Sequence, residues 1–287
     1  MDLTFSSSKS SGWKRWISFS NGCIVAILLA SGVFHLLLAG MGGIPWNDPI
    51  SFRKPALFGI STGLTLWSCD WCFRQLREAA WSEVMRWILG VSLLLEVGLI
   101  TLQTWRGEAS HFNRSGILNA SIESGMLLFI VVAMAIILIL AMRSSFGYFL
   151  PSVSCSMRIA IWWGLQYLVV SGLIGFAISF VGHTQQLAGK PPELWGEGGV
   201  LKFPHGAALH AIQTLAVVAW VADRLWKKKS VALVRSIAYL HAVVLVLAIH
   251  HTVQGRGRFD FALDSWIVSA IGLGCCLIPF AISEDKR

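Results

Sequence analysis

Long apolar stretches recur along the chain and are separated by short polar segments. Within each stretch the apolar residues are continuous and do not alternate every second residue, which favours membrane helices over barrel strands. A helix of roughly 20 apolar residues matches the hydrocarbon thickness of a bilayer. The pattern predicts eight transmembrane helices, at residues 17–38, 55–73, 84–104, 121–142, 158–181, 205–225, 235–254 and 263–282.

Composition agrees with this pattern. Hydrophobic residues make up 55% of the 287 residues and charged residues only 13%, whereas soluble domains carry roughly 25% charged residues. We therefore predict an all-α polytopic membrane protein. Its expected organisation is a mobile cytoplasmic segment (1–16), a transmembrane domain (17–282) and a cytoplasmic tail (283–287). The polar start could be the n-region of a signal peptide, but the apolar run after it is long enough to span, so we expect it to be retained.

Most of the 23 Lys and Arg fall in alternate loops, and the run LWKKKSVALVR is the strongest cluster. The positive-inside rule places both termini in the cytoplasm. This topology accounts for the net charge of +8 without a nucleic-acid partner, and a basic inner surface is typical of contact with anionic membrane lipids. We expect a multi-pass protein of the bacterial inner membrane. Oligomeric state stays open.

Cysteine and histidine segregate in this topology. All six cysteines fall on the inner side, and the pair Cys69 and Cys72 in CDWC is interpreted as structural thiols on the reducing side. Of the eight histidines, only His241 is placed deep on the inner side. A functional site is therefore expected to face outward. The outer histidines are His35, His111, His183, His205, His210, His250 and His251.

Two outer segments carry candidate substrate-binding groups. The segment 45–59 could present a charged rim that selects an anionic group, or it could be an ordinary loop with a cap and interfacial cations. The segment 103–116, QTWRGEASHFNRSG, could position a substrate or ligate a metal, or it could be a polar loop. The candidates for substrate binding here are Asp48, Arg53, Lys54, Gln103 and Arg106, and those for catalysis are His111 and Asn113.

Glu96 lies within the third predicted helix, slightly outward of the midplane. A carboxyl group in hydrocarbon is costly and is by default a functional hypothesis. Ser92, Glu96 and Gln103 share one helical face. The alternative is a buried hydrogen bond to a neighbouring helix.

The sixth span opens with LKFPHGAALHAIQTL. Lys202 is a further substrate-binding candidate, and His205, His210 and Gln213 are catalytic candidates. On one continuous helix, His205 and His210 would lie about 140° apart around the axis, which is poor geometry for chelating one ion. The chain lacks HExxH, so a zinc protease of that type is rejected.

Two cofactors remain open from the residues alone. His111, His205 and His210 could ligate a divalent metal shared between helices. His35, His210 and His250 could instead be axial ligands of a b-type haem. Covalent c-type haem is excluded because the chain lacks CxxCH.

The two halves of the chain contain short matching segments that occur in the same order. Ser31-Gly32 in span 1 matches Ser171-Gly172 in span 5, FRKPALFG precedes span 2 as LKFPHGAA precedes span 6, and QTWRG follows span 3 as TVQGRG follows span 7. These matches are consistent with a parallel four-plus-four duplication. Such a repeat would place a site near the pseudo-twofold axis.

The blocks KPALF, RGEASHFN and FPHGAALHAIQ resemble those of a group of multi-pass bacterial membrane proteins to which no reaction is assigned. The resemblance implies the same polytopic fold. It also implies that residues 53–58, 103–113 and 202–213 form one site.

The leading interpretation is a metal- or haem-dependent enzyme acting on a small or lipid-like substrate at the outer leaflet. A proton-coupled transporter, with Glu96 and the histidines moving protons, is the first alternative. The second is a non-catalytic assembly subunit or pH sensor.

Overall fold

The protein is described here from a computed structural model, which describes residues 7–42, 46, 48, 50–260 and 262–284. It is all-α, with 78% of residues helical. Residues 1–6 and 285–287, which belong to the predicted terminal segments, lie outside the described residues. The helices are α1 (Ser7–Gly40), α2 (Arg53–Gln75), α3 (Ser82–Trp105), α4 (Gly116–Ser145), α5 (Cys155–Leu187), α6 (Lys202–Leu209), α7 (Ala211–Leu225), α8 (Ser230–Val253) and α9 (Leu263–Glu284).

Seven helical segments of the described chain are long and apolar enough to cross a membrane, by length and composition. They are α1, α3, α4, α5, the combined segment Lys202–Leu225, α8 and α9. The helix α2 is not among them, although it has 23 residues. Its sequence is more polar, and it buries that polarity against α1 and α3. A polytopic helical fold is thus supported, while the predicted number of eight spans is not confirmed.

The first helix differs from the prediction at its start. It begins at Ser7, so residues 7–16, expected to be mobile, form its first turns. Two contacts favour helix here: the rings of Trp13 and Trp16 stack with centroids 5.1 Å apart, and Lys14 forms an ion pair with Glu78. Hydropathy could not predict this extension because residues 7–16 are polar and the Lys14–Glu78 pair joins residues that lie far apart in sequence.

The sixth predicted span is not one helix. α6 ends and α7 begins at His210, whose backbone (φ −97°, ψ 9°) is not helical. The 140° separation expected for His205 and His210 assumed a continuous helix and therefore does not apply. Broken helices are characteristic of binding sites inside membrane proteins, since the interrupted turn leaves backbone groups available.

The chain divides into two compact units, residues 1–136 and 137–287. In unit 1, α1, α2 and α3 pack against one another in all three pairs. α1 and α2 touch through glycines: a Cβ on Gly32 would lie 2.6 Å from the backbone nitrogen of Ile60, and a Cβ on Gly59 would lie 2.8 Å from the Cα of Gly32. Only glycine permits this backbone contact.

In unit 2, α5, α8 and the α6–α7 pair make the corresponding set of contacts. Gly164 of α5 packs on Ile212, whose Cα would lie 2.7 Å from an added Cβ. The Tyr167 hydroxyl donates to the carbonyl of Ala238 over 2.7 Å, which joins α5 to α8. A two-stranded hairpin, β1 (Leu194–Trp195) and β2 (Gly199–Val200), packs on the end of α8.

Candidate functional site

In each unit, the imidazole of one histidine contacts a serine that is followed by glycine in the sequence. In unit 1, His35 of α1 places Nδ1 at 2.7 Å from the Ser31 carbonyl and 3.3 Å from the Ser31 hydroxyl. Its Nε2 accepts a hydrogen bond of 2.9 Å from the indole N–H of Trp105. Both ring nitrogens of His35 are therefore engaged, and the side chain is buried.

In unit 2, the histidine comes from a different helix. His205 of α6 places Nδ1 at 2.8 Å from the Ser171 carbonyl and 3.1 Å from the Ser171 hydroxyl, and that hydroxyl donates to the His205 carbonyl over 3.0 Å. Ser171 belongs to α5. Gly175, one turn further along α5, lies beside the ring, and an added Cβ would meet the His205 imidazole at an ordinary contact distance of 3.5 Å.

The free nitrogen of His205 is the notable difference. Nδ1 faces a carbonyl oxygen, so it carries the proton and Nε2 is an acceptor. Within the described part of the chain, no hydrogen bond reaches His205 Nε2, whereas the same nitrogen of His35 is bonded to Trp105. The imidazole of unit 2 can thus accept a hydrogen bond from a ligand.

The break at His210 adds a second unsatisfied group. Gln213 lies in the first turn of α7, and both atoms of its side-chain amide are buried without a hydrogen-bond partner among the described residues. The His210 carbonyl accepts from the backbone N–H and the hydroxyl of Thr214, each at 3.2 Å. A buried amide that lacks partners costs free energy, and a bound polar molecule would recover it.

Glu96 is the third unsatisfied group, and it lies in unit 1. It is 6% exposed, and its Oε2 has no partner among the described residues. Ser92 and Gln103, expected on the same face of α3, are also buried. Gln103 is satisfied: its amide donates to Asn119 over 3.2 Å and accepts from Arg106, which also reaches Asn119 at 3.0 Å.

In the loop after α3, several polar side chains form hydrogen bonds with other residues of the same loop. His111 Nδ1 lies 3.0 Å from the Ser110 hydroxyl, and its ring packs on Phe58 with centroids 5.8 Å apart. The Asn113 amide donates to Glu108 over 2.8 Å. Phe112 between them has φ 60°, a conformation that non-glycine residues rarely adopt, and Glu123 holds its backbone N–H at 3.1 Å. These contacts favour the interpretation of this segment as an ordered polar loop.

The remaining substrate-binding candidates are placed as follows. Asp48 accepts from the backbone N–H of Ile50 over 2.9 Å, which is a local turn. Arg53 begins α2 and Lys54 is buried in its first turn. Lys202, in unit 2, pairs with Glu193 at 2.6 Å.

The haem alternative gains little from the geometry. His250 Nε2 lies 2.8 Å from Asp264, which Arg256 also holds at 2.8 Å. Together with the bonded Nε2 of His35, this leaves two of the three proposed axial ligands engaged in protein contacts. His251 is buried separately against Gly257 and Ser265, so the two adjacent histidines serve different partners.

No metal site is formed by the predicted ligands within either unit. Across the described ranges, no group of three or more His, Cys, Asp or Glu side chains is arranged to hold a metal ion. Unit 1 contains His35, Glu96, His111 and Asn113, and unit 2 contains His205, His210, Gln213 and His250. Within unit 2, the broken span carries His205, His210 and Gln213 together.

Sequence reasoning missed a buried ion network at the opposite end of unit 1. Asp70 of α2 pairs with Arg86 of α3 at 2.7 Å and with Arg74. Asn21 of α1 donates to Asp70 over 3.0 Å, and Glu83 holds Arg86 at 2.7 Å. The sequence signal for this network was one charged residue in each of two predicted spans, Asp70 and Arg86. Pairing them requires the helix arrangement.

No family model matches the chain, and none of the curated proteins or solved structures compared with it matches either. The resemblance to bacterial multi-pass proteins therefore stays a prediction, and function must be argued from the residues themselves.

Proposed function

We propose that the protein is a proton-coupled carrier that binds a small polar solute in unit 2, at the broken sixth span. The observation that carries this proposal is the interruption at His210, flanked by the unbonded Nε2 of His205 and the unpartnered amide of Gln213. Discontinuous helices with unsatisfied polar groups are characteristic of solute sites in secondary transporters.

The groups at the break define the solute by its hydrogen bonds. His205 Nε2 offers an acceptor, and the Gln213 amide offers two donors and an acceptor. None of these groups carries a fixed charge, and Lys202 is already paired with Glu193. The expected solute is therefore small, carries hydroxyl, amine or amide groups, and has no net charge.

Glu96 is the proposed proton-carrying group. It is the buried carboxyl in unit 1 whose Oε2 lacks a partner, so no ion pair locks its protonation state. Asp70, another carboxyl that the sequence places within a predicted span, is held by two arginines, and we assign it a packing role. Intramembrane carboxyls commonly serve as proton relays in transporters.

A metal- or haem-dependent enzyme has less support. Two of its proposed haem ligands, His35 and His250, are engaged in contacts with Trp105 and Asp264. The polar site is instead built from groups that bind neutral hydrogen-bonding molecules.

The finer topology also belongs to this proposal: eight spans with both termini inside, in a bacterial inner membrane and in contact with its lipids, so that His205 faces outward. Two further observations support the four-plus-four repeat. Ser31 and Ser171 each bind an imidazole, and Gly175 occupies the position in α5 that His35 occupies in α1. α3 and α8 also end alike: Gly107 (φ 70°) and Gly255 (φ 68°) follow Thr104 and Thr252, whose hydroxyls bond back to Ile100 and Ala248.

Transient currents from proteoliposomes on a solid-supported membrane test the function. Jumps in pH are combined with a panel of small alcohols, amides, amino acids and sugars. We expect at least one solute to give a current that depends on the pH gradient, because the solute moves together with protons. Gln213→Leu should abolish the solute response, and Glu96→Gln should abolish the current as well, because a neutral solute that moves without protons carries no charge.

Matched controls are Gln166→Leu, an amide elsewhere in unit 2 that bonds to Ser145, and the exposed Glu197→Gln. Both should leave the currents unchanged. A wild-type protein that gives no current with any solute, or a Gln213→Leu variant with undiminished currents, contradicts the proposal.

A further inference from the structure

A cleft of 440 Å³ lies in unit 1, where α2 ends and α3 begins. Small-molecule sites usually measure about 300–1,000 Å³. The lining groups that matter are the indole of Trp13, the ammonium of Lys14, and the carboxylates of Glu78 and Glu83. The cleft is separate from the proposed solute site, which lies in unit 2.

The charges of the cleft are of both signs, and one pair is exposed. Lys14 and Glu78 form an ion pair whose side chains are 43% and 67% exposed. Such exposed pairs contribute little free energy, so a ligand can divide the pair. Glu83 differs, because it is 15% exposed and held by Arg86. The exchangeable groups are thus one ammonium and one carboxylate, which match a zwitterion.

An aromatic surface adjoins the cleft. Trp13 stacks on Trp16, and the ring of Trp16 lies 6.2 Å from that of Trp87. Phe19 follows on α1 and is exposed. Tryptophan is enriched where lipid headgroups meet the hydrocarbon region, which is the depth at which we expect this cleft. The Trp13 indole N–H has no hydrogen-bond partner within the described residues and is available as a donor.

We propose that this cleft binds the phosphoethanolamine headgroup of a phospholipid. The ammonium donates to Glu78, while the phosphate accepts from Lys14 and from the Trp13 indole. A purely anionic headgroup would meet two carboxylates without a cation to offer them. A choline headgroup has no N–H to donate to Glu78, so it forms a weaker contact.

Native mass spectrometry of the full chain tests this site. The protein is released from micelles that contain equal amounts of phosphatidylethanolamine, phosphatidylcholine and phosphatidylglycerol of identical acyl chains. We expect phosphatidylethanolamine to be retained about two- to fivefold over each of the others, the ratio that one exposed charge pair supplies. Glu78→Gln should remove that preference. Lys14→Gln loses the phosphate contact that all three lipids share and should lower the retention of all three alike. The exposed Glu197→Gln and Lys228→Gln, which change the same charges elsewhere, should keep the preference.

A second series needs no variant. Methylating the ethanolamine nitrogen once, twice and three times removes its donors one at a time, and retention by the wild type should fall across the series. Equal retention of the three lipids, a preference for phosphatidylglycerol, or an unchanged preference in Glu78→Gln overturns the proposal.

Discussion

The two units build the same contact in opposite ways. In unit 1, His35 lies on α1 itself, and α2 approaches so closely at Gly32 and Gly59 that the backbones touch. In unit 2, the residue four positions after Ser171 on α5 is Gly175, and the imidazole is supplied by His205 from the broken helix. In unit 1, the second ring nitrogen of His35 accepts a hydrogen bond from the Trp105 indole. The arrangement in unit 2 leaves one ring nitrogen of His205 without a partner among the described residues.

The difference separates a structural role from a binding role. Unit 1 has a continuous second helix, anchored at one end by the Asp70 network. Unit 2 has an interrupted one, with Gln213 unsatisfied beside the interruption. Polar groups without partners cost stability and persist where they serve function. We therefore expect substitutions in the α1–α3 core to affect mainly stability, and those at the break to affect mainly binding.

The largest expected effect is that of Asp70→Asn. It removes the buried carboxylate that pairs with Arg86 at 2.7 Å and leaves that guanidinium only its contact with Glu83. Breaking a buried ion pair typically costs about 3–5 kcal/mol. Denaturant unfolding in micelles should show a loss of this size. Asp260→Asn, at an exposed carboxylate, is the control and should change the free energy of unfolding by less than about 0.5 kcal/mol. A stable Asp70→Asn variant would mean that the network does not anchor unit 1.

Gly32→Ala should come next. The added methyl meets backbone at 2.6 Å, so α1 and α2 must separate, and overpacking of this kind costs about 1–3 kcal/mol. Gly175→Ala in unit 2 meets the His205 ring only at ordinary contact distance, 3.5 Å, and should be tolerated. Gly22→Ala, on an open face of α1, controls for helix propensity. Equal losses at positions 32 and 175 would remove the contrast between the units. All three are compared by unfolding.

Replacing either of two glutamines by leucine should change the free energy of unfolding, with opposite signs at the two positions. Gln213→Leu removes an amide that already lacks partners, so the free energy of unfolding should rise by about 1–3 kcal/mol while solute response is lost. Gln103→Leu removes an amide bonded to Arg106 and Asn119 and should lower that free energy. Thermal unfolding of both variants in the same detergent measures the signs. A destabilised Gln213→Leu variant would show that the amide is satisfied in the native protein.

The smallest effect concerns the two serines. Ser171→Ala removes the hydroxyl bond to the His205 carbonyl and should cost about 1 kcal/mol. Ser31→Ala should cost less, because its hydroxyl makes only a 3.3 Å contact with His35. The contact between the imidazole and the serine carbonyl remains in both variants. Denaturant midpoints of the two variants decide the order, and a larger loss at Ser31 contradicts it.

Hydropathy predicted most of the helices because membrane spans are defined by length and apolar content. It could not predict the break at His210, since neither Gly nor Pro marks that position. The candidates His205 and Gln213 were identifiable as polar residues in an apolar span. Ser171 was identified only as part of the Ser171-Gly172 pair that matches Ser31-Gly32, because its imidazole partner lies 34 residues away. The Asp70 network was missed for the same reason: its members come from three helices.

The most direct test of the contrast is the ¹⁵N spectrum of imidazole-labelled protein, with the His35 and His205 signals assigned by single substitutions. A hydrogen bond accepted by an unprotonated ring nitrogen shifts its resonance upfield. The account predicts that His35 Nε2 is shifted in this way and that His205 Nε2 is not, until a solute identified by the transport currents is added. Identical shifts for the two nitrogens, or a His205 signal that does not respond to that solute, would contradict it.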